Sequence, residues 1–144
     1  MIDVLLVEDD LADVLMVEGA LSDFSVPTRL HVATDGVEAT AFLRREGMHA
    51  QAPRPAFVLL DLNMPRKDGF EVLSDMKNDE VLRVIPIVVF TTSNQPQQIH
   101  RSYIARANAY VVKPTDVDDF ARVVREIEIF YGQIAARPTL PEGP

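Results

Sequence analysis

Three runs of consecutive apolar residues, Val4–Val7, Ala56–Leu60 and Ile85–Phe90, constrain the fold of this chain more than any other feature. Short apolar runs without polar alternation fit strands buried on both faces. That burial arises when helices cover both sides of a parallel sheet. Between the runs, apolar residues return at helical spacing. Leu11 to Phe24 predicts a helix with Leu11, Val14, Leu15 and Leu21 on its apolar face, and Asp10 is placed to cap it. Val37–Glu46, Phe70–Lys77, Pro96 to about Asn108 and Asp116–Ile134 predict four more. Leu30, Val32 and Ala33 mark a short strand, and Ala109–Val112 another. Five strands alternating with five helices predict an α/β fold around a parallel sheet.

Breakers fall between these segments. Asp35-Gly36 reads as a turn, Gly47 as a helix stop, and Met64-Pro65 with Asp68-Gly69 as an irregular loop. Pro96 suits the first turn of its helix. The stretch 1–134 reads as one domain and 135–144 as a flexible Pro-rich tail.

Composition removes several function classes. A net charge of −8 opposes general nucleic-acid binding, which needs clustered cations. The chain has no cysteine, which excludes disulfides and thiolate metal sites, and His31, His49 and His100 are too scattered for a zinc centre. No stretch approaches the ~20 apolar residues of a membrane span. No secretory leader is visible, so a cytoplasmic location is expected.

The chemistry collects where the strands end. Glu8 and Asp9 follow the first run, Asp61 the run 56–60, Thr91 the run 85–90, and Lys113 the last short strand. Ligands of open parallel sheets bind at the carboxyl ends of the strands, so these groups should converge. Clustered carboxylates need protons or a cation. Oxygen donors alone select a hard ion such as Mg2+. Asp61 could then stay ionised as a nucleophile, with Lys113 and Thr91 stabilising an incoming phosphoryl group.

These motifs (Val7-Glu8-Asp9, Asp61-Leu62-Asn63-Met64-Pro65 with Asp68-Gly69, Thr91, and Lys113-Pro114) resemble those of the receiver domains of two-component response regulators. The resemblance covers residues 2 to about 131. It implies the flavodoxin-like (βα)5 doubly wound fold. It also implies that Asp61 accepts a phosphoryl group from a sensor histidine kinase. Asp9 would bind Mg2+ directly, Glu8 through water, and Asn63 by its backbone carbonyl. Lys113 would pair with the phosphoryl group, and Thr91 with Tyr110 would form the switch pair. Lys113-Pro114 would be a cis bond. Asn63, Thr92 and Ser93 stand at positions that tune dephosphorylation in the family.

Thr92, Thr115 and Glu8 depart from the residues most common in receivers. Thr91-Thr92-Ser93, Asn108-Ala109-Tyr110 and the long aromatic last helix resemble the single-domain regulators paired with bacterial phytochrome kinases. In that last helix Val117, Phe120, Val124, Ile127 and Ile134 form one predicted buried stripe, widened by Ile129, Phe130 and Tyr131. So wide an apolar arc suggests a homodimer through the fourth helix, fifth strand and fifth helix, the alternative being that these residues pack against the tail. Two alternatives stay open: a receiver-shaped interaction module that is never phosphorylated, and a Mg2+-dependent phosphatase. The phosphatase reading is weakened because Asn63 stands where a general acid would be needed.

Overall fold

The computed structural model describes residues 1–22 and 27–138. The strands are β1 (Ile2–Val7), β2 (Thr28–Ala33), β3 (Phe57–Leu60), β4 (Ile87–Thr91) and β5 (Ala109–Val112). The helices are α1 (Leu11–Ser22), α2 (Gly36–Arg44), α3 (Gly69–Lys77), α4 (Pro96–Ile104) and α5 (Val117–Glu128). All strand pairs are parallel, in the order β2-β1-β3-β4-β5. The ends of the first helix prediction (Phe24) and of the proline-rich tail fall outside the described residues.

Each strand sends alternate residues to opposite faces. Leu5, Val7, Val58, Leu60, Ile87 and Val89 pack with Phe42 and Leu43 of α2 and Val72, Leu73 and Met76 of α3. Val4, Leu6, Phe57, Leu59, Val88 and Phe90 pack with α1 (Val14, Val17, Leu21) and α5 (Phe120, Val124, Ile127). Two cores on one sheet explain why the central strands are apolar at every position.

Aspartates start four of the helices. Asp10 Oδ1 accepts from Ala12 N–H at 2.9 Å, Asp35 Oδ1 from Glu38 N–H at 2.8 Å, Asp68 Oδ1 from Glu71 N–H at 3.0 Å, and Asp116 Oδ1 from Asp119 N–H at 3.0 Å. The Asp-Gly pairs at 35–36 and 68–69 are therefore helix caps followed by the first helical residue rather than free turns. Pro96 occupies the first turn of α4, where a missing N–H costs nothing.

Two helix ends differ from the sequence reading. The α2 helix stops at Arg45, with φ of 57°, and not at Gly47. The α4 helix stops before Arg106, with φ of 75°, short of Asn108. Non-glycine residues in this left-handed region carry about 1–3 kcal/mol of strain. Among the described residues they are three, Arg45, Arg66 and Arg106, and each is an arginine whose guanidinium bonds a distant group. Arg45 Nε donates to the Ala52 carbonyl at 2.8 Å. Arg106 Nη2 donates to the Lys77 carbonyl at 3.2 Å. These tertiary bonds offset the local strain.

The last helix also differs. After Glu128 the backbone passes into a π-helical turn, Ile129–Ile134. Phe120, Val124 and Ile127 are buried as expected, but Val117 is 65% and Ile134 67% exposed. Val117 lies in the first turn of α5 and Ile134 at the end of the π turn, so both stand beyond the length of helix that the sheet covers. The Lys113–Pro114 bond is trans, since no peptide among the described residues is cis. The intrinsic trans preference of about 0.5–1 kcal/mol is not overridden there.

Candidate functional site

The end of β1 brings Glu8 beside the end of β3. Glu8 N–H donates to the Ala33 carbonyl at 2.9 Å and Asp61 N–H to the Val7 carbonyl at 3.0 Å, so the two acids continue the ladder side by side. One carboxylate oxygen from each of Glu8, Asp9 and Asp61 lies within 4.8 Å of the other two. Glu8 and Asp61 are buried and Asp9 is exposed. The Asp61 Oδ1 atom accepts from Leu62 N–H at 2.8 Å.

Lys113 reaches this cluster from the end of β5, where its N–H donates to the Thr91 carbonyl at 2.7 Å. Its ammonium nitrogen stands 5.9 Å from the Phe90 ring centroid. The ammonium bonds Glu8 Oε1, donates to Asp13 Oδ2 at 2.7 Å, and stands 3.5 Å from Asp61 Oδ2. Asp13 is the member that the sequence reading missed. Its position in the first turn of α1 suggested only a favourable place for an acid; its four-residue offset from Asp9 was the available signal.

Burial is the largest influence on both buried partners. It pushes the Glu8 carboxyl up to about 7, with Asp61 adding to the rise and Lys113 opposing it. Burial alone would lower Lys113. The bonds to Asp13 and Glu8, with the field of Asp61, outweigh it and hold the amine above its ordinary value. The two shifts are compatible because one amine serves three acids. The ammonium is secure, while Glu8 is left short of positive charge.

Thr91 closes β4 and is buried, with no hydrogen-bond partner for its hydroxyl among the described residues. A buried donor without a partner carries a desolvation cost, and such groups are rare outside functional sites. Tyr110 on β5 is half-buried, and its phenol donates to the Ser93 carbonyl at 2.8 Å. Burial, and to a lesser degree Asp61, raises its pKa, so the phenol stays a donor. Thr92 and Asn63 are exposed and Ser93 is half-buried, each on a loop beside the carboxyl ends of the strands. His31 lies elsewhere, bonded to Asp3 and packed on Phe42, and His100 is exposed on α4.

The donor set suits a hard divalent ion. It is all oxygen, partly buried, and carries more negative charge than one lysine balances.

A family model for the response regulator receiver domain matches residues 4–125. The response regulator Rcp1 of Synechocystis sp. is 38% identical over 135 residues, covering 94% of this chain and 92% of its own. The crystal structure of the phosphorylated cyanobacterial phytochrome response regulator RcpA superposes with a TM-score of 0.92 at 41% identity, covering 95% of this chain and 98% of that one. The Mn(2+)-bound form of Rcp1 superposes with a TM-score of 0.91 at 37% identity, covering 96% and 100%.

Proposed function

Because the chain belongs to the response regulator receiver domain family, we propose that its switch is phosphorylation of Asp61 by a sensor histidine kinase of the phytochrome type. The observation that carries this reading is the meeting of Asp61, Glu8, Asp9 and Lys113 at one rim of the sheet. A carboxylate oxygen of Asp61 attacks the phosphorus of a phosphohistidine. The new P–O bond forms as the P–N bond breaks, and the electron pair returns to the imidazole of the donor. Mg2+, held by Asp9, Asp61, the Asn63 carbonyl and, through water, Glu8, would supply positive charge to the phosphoryl oxygens. Lys113 supplies a second cation, and the Thr91 hydroxyl donates to a phosphoryl oxygen. Donation by Thr91 frees space into which Tyr110 turns on leaving the Ser93 carbonyl. Asn63, Thr92 and Ser93 border the route of a hydrolytic water and tune the phosphoryl lifetime. The domain catalyses only its own phosphorylation and dephosphorylation, in the cytoplasm.

The test is intact mass after incubation with acetyl phosphate and Mg2+. One phosphoryl group is expected, absent in Asp61→Asn and absent with EDTA. No gain from acetyl phosphate or from a phosphorylated kinase would reject the switch in favour of a module that acts unphosphorylated. Continued turnover of a phosphate ester would instead favour a phosphatase.

The signal leaves through a second copy of the chain. Tyr103 and Ile104 on α4, Val112 on β5, Val117 in the first turn of α5 and Phe130 in the π-helical turn are all 40% or more exposed. The β5 strand is an edge strand. Apolar residues at such density beside an open edge suit a self-complementary interface. Sedimentation velocity at tens of micromolar should give a dimer, and Val117→Glu should give a monomer. A wild-type monomer in both phosphorylation states would exclude this interface.

A further inference from the structure

Arg66 occupies the left-handed backbone region, with φ of 64°. Glycine enters that region without steric cost, so the arginine side chain must contribute something glycine would not. It reaches the buried Asp35 carboxylate. Nε donates to Oδ2 at 2.9 Å, and Nη2 bonds the same oxygen. The other Asp35 oxygen caps α2. One carboxylate thus joins the start of α2 to the loop 62–68.

Three further contacts tie the loop to α2 and α3. Gly36 N–H donates to the Lys67 carbonyl at 3.0 Å. Lys67 Nζ donates to Thr40 Oγ1 on α2 at 2.9 Å and pairs with Asp75 on α3. The backbones approach so closely that a Cβ on Gly36 would lie 2.3 Å from the Lys67 oxygen. The loop they hold begins at Asp61, contains Asn63, and closes where Gly69 N–H donates to the Leu62 carbonyl at 2.9 Å.

We propose that Arg66 and Asp35 are positioning residues for the divalent-cation site. Their pairing fixes the 62–68 loop, and with it the Asn63 carbonyl, before the ion arrives. The inference rests on Asn63 being a metal ligand, as in the function proposed above. A loop held in its binding conformation adds no ordering cost to ion binding, whereas a loop that wanders reduces affinity by the fraction of time it spends elsewhere. Metal sites commonly depend on such supporting contacts.

The test compares wild type, Arg66→Gly and Arg66→Lys by calorimetric Mg2+ titration, and by amide exchange at Gly36 in metal-free protein. Arg66→Gly keeps the left-handed backbone conformation accessible and deletes the whole side chain, while Arg66→Lys keeps a cation and most of the stem. Arg66→Gly should bind Mg2+ about tenfold more weakly and exchange the Gly36 amide faster. Arg66→Lys should recover part of both losses. Mg2+ affinity of Arg66→Gly within about twofold of wild type, or weaker binding with unchanged Gly36 exchange, overturns the inference. Wild-type protein that binds no Mg2+ removes the cation site itself and the positioning role with it. Wild type that binds normally beside an equally competent Arg66→Gly removes only the positioning role.

Discussion

Lys113→Met should destabilise the metal-free protein by roughly 3–5 kcal/mol, the range for breaking a buried ion pair by deleting one partner. The Lys113 side chain is 5% exposed, and its amine sits among Glu8, Asp13 and Asp61. Methionine fills the stem's space beside Phe90 but leaves three acids facing one another. The deficit depends on pH with a definite sign. Glu8 is raised in the folded protein from an ordinary 4.5 to about 7, so its charge opposes folding above the lower value. That opposition fades as pH falls through the upper value and the carboxyl takes a proton. Losing Lys113 strengthens the repulsion, so the deficit should be largest near pH 8 and shrink towards pH 5. A divalent cation should restore much of it at pH 8. Urea denaturation at both pH values, in EDTA and in Mg2+, measures all three effects. A variant as stable as wild type at pH 8 in EDTA would mean that the amine contributes no net stabilisation to the cluster.

Gly69→Ala should be comparably damaging for a steric reason. A Cβ built at Gly69 lies 2.2 Å from the Asp61 carbonyl oxygen and 2.7 Å from Leu62 Cα. Both are backbone atoms at the end of a central strand, so no side chain can swing aside. Relief requires α3 to retreat or the Asp61 peptide to turn, either of which breaks the Gly69 N–H bond to Leu62. Overpacking costs about 1–3 kcal/mol and occasionally more, and the upper end applies where only backbone can yield. Because the displaced peptide belongs to Asp61, phosphoryl uptake should fall together with the urea midpoint. Gly19→Ala is the matched control, since no atom lies within 4 Å of a Cβ at that position. A Gly69→Ala protein with wild-type midpoint and wild-type phosphorylation would show that the helix start is more yielding than this contact implies.

The fold and most of the site were legible in the sequence because their signals are local. Val4–Val7 and Phe57–Leu60 are apolar at every position since both sheet faces are covered, and each run is followed at once by the acids it carries. Helix starts were legible where a single side chain bonds the backbone two or three residues on, as at Asp10. Asp35 and Asp68 bond in the same way, but their Gly neighbours read as turns, because Asp-Gly serves both conformations.

The amino-acid order by itself determined which segments become strands and helices, and hence that Glu8, Asp9, Asp61, Thr91 and Lys113 stand at strand ends. Only the tertiary structure decided which neighbours those groups meet. Asp13 and Lys113, 100 residues apart, touch because the rotation of α1 over the sheet and the place of β5 at its edge bring them together. Arg45 and Arg106 end helices where a local rule expects glycine or a longer helix, because distant carbonyls reward their side chains. Periodicity records which face of an element is apolar. It carries no record of how far that face extends, which is why Val117 and Ile134 lie in solvent beside a stripe that is buried.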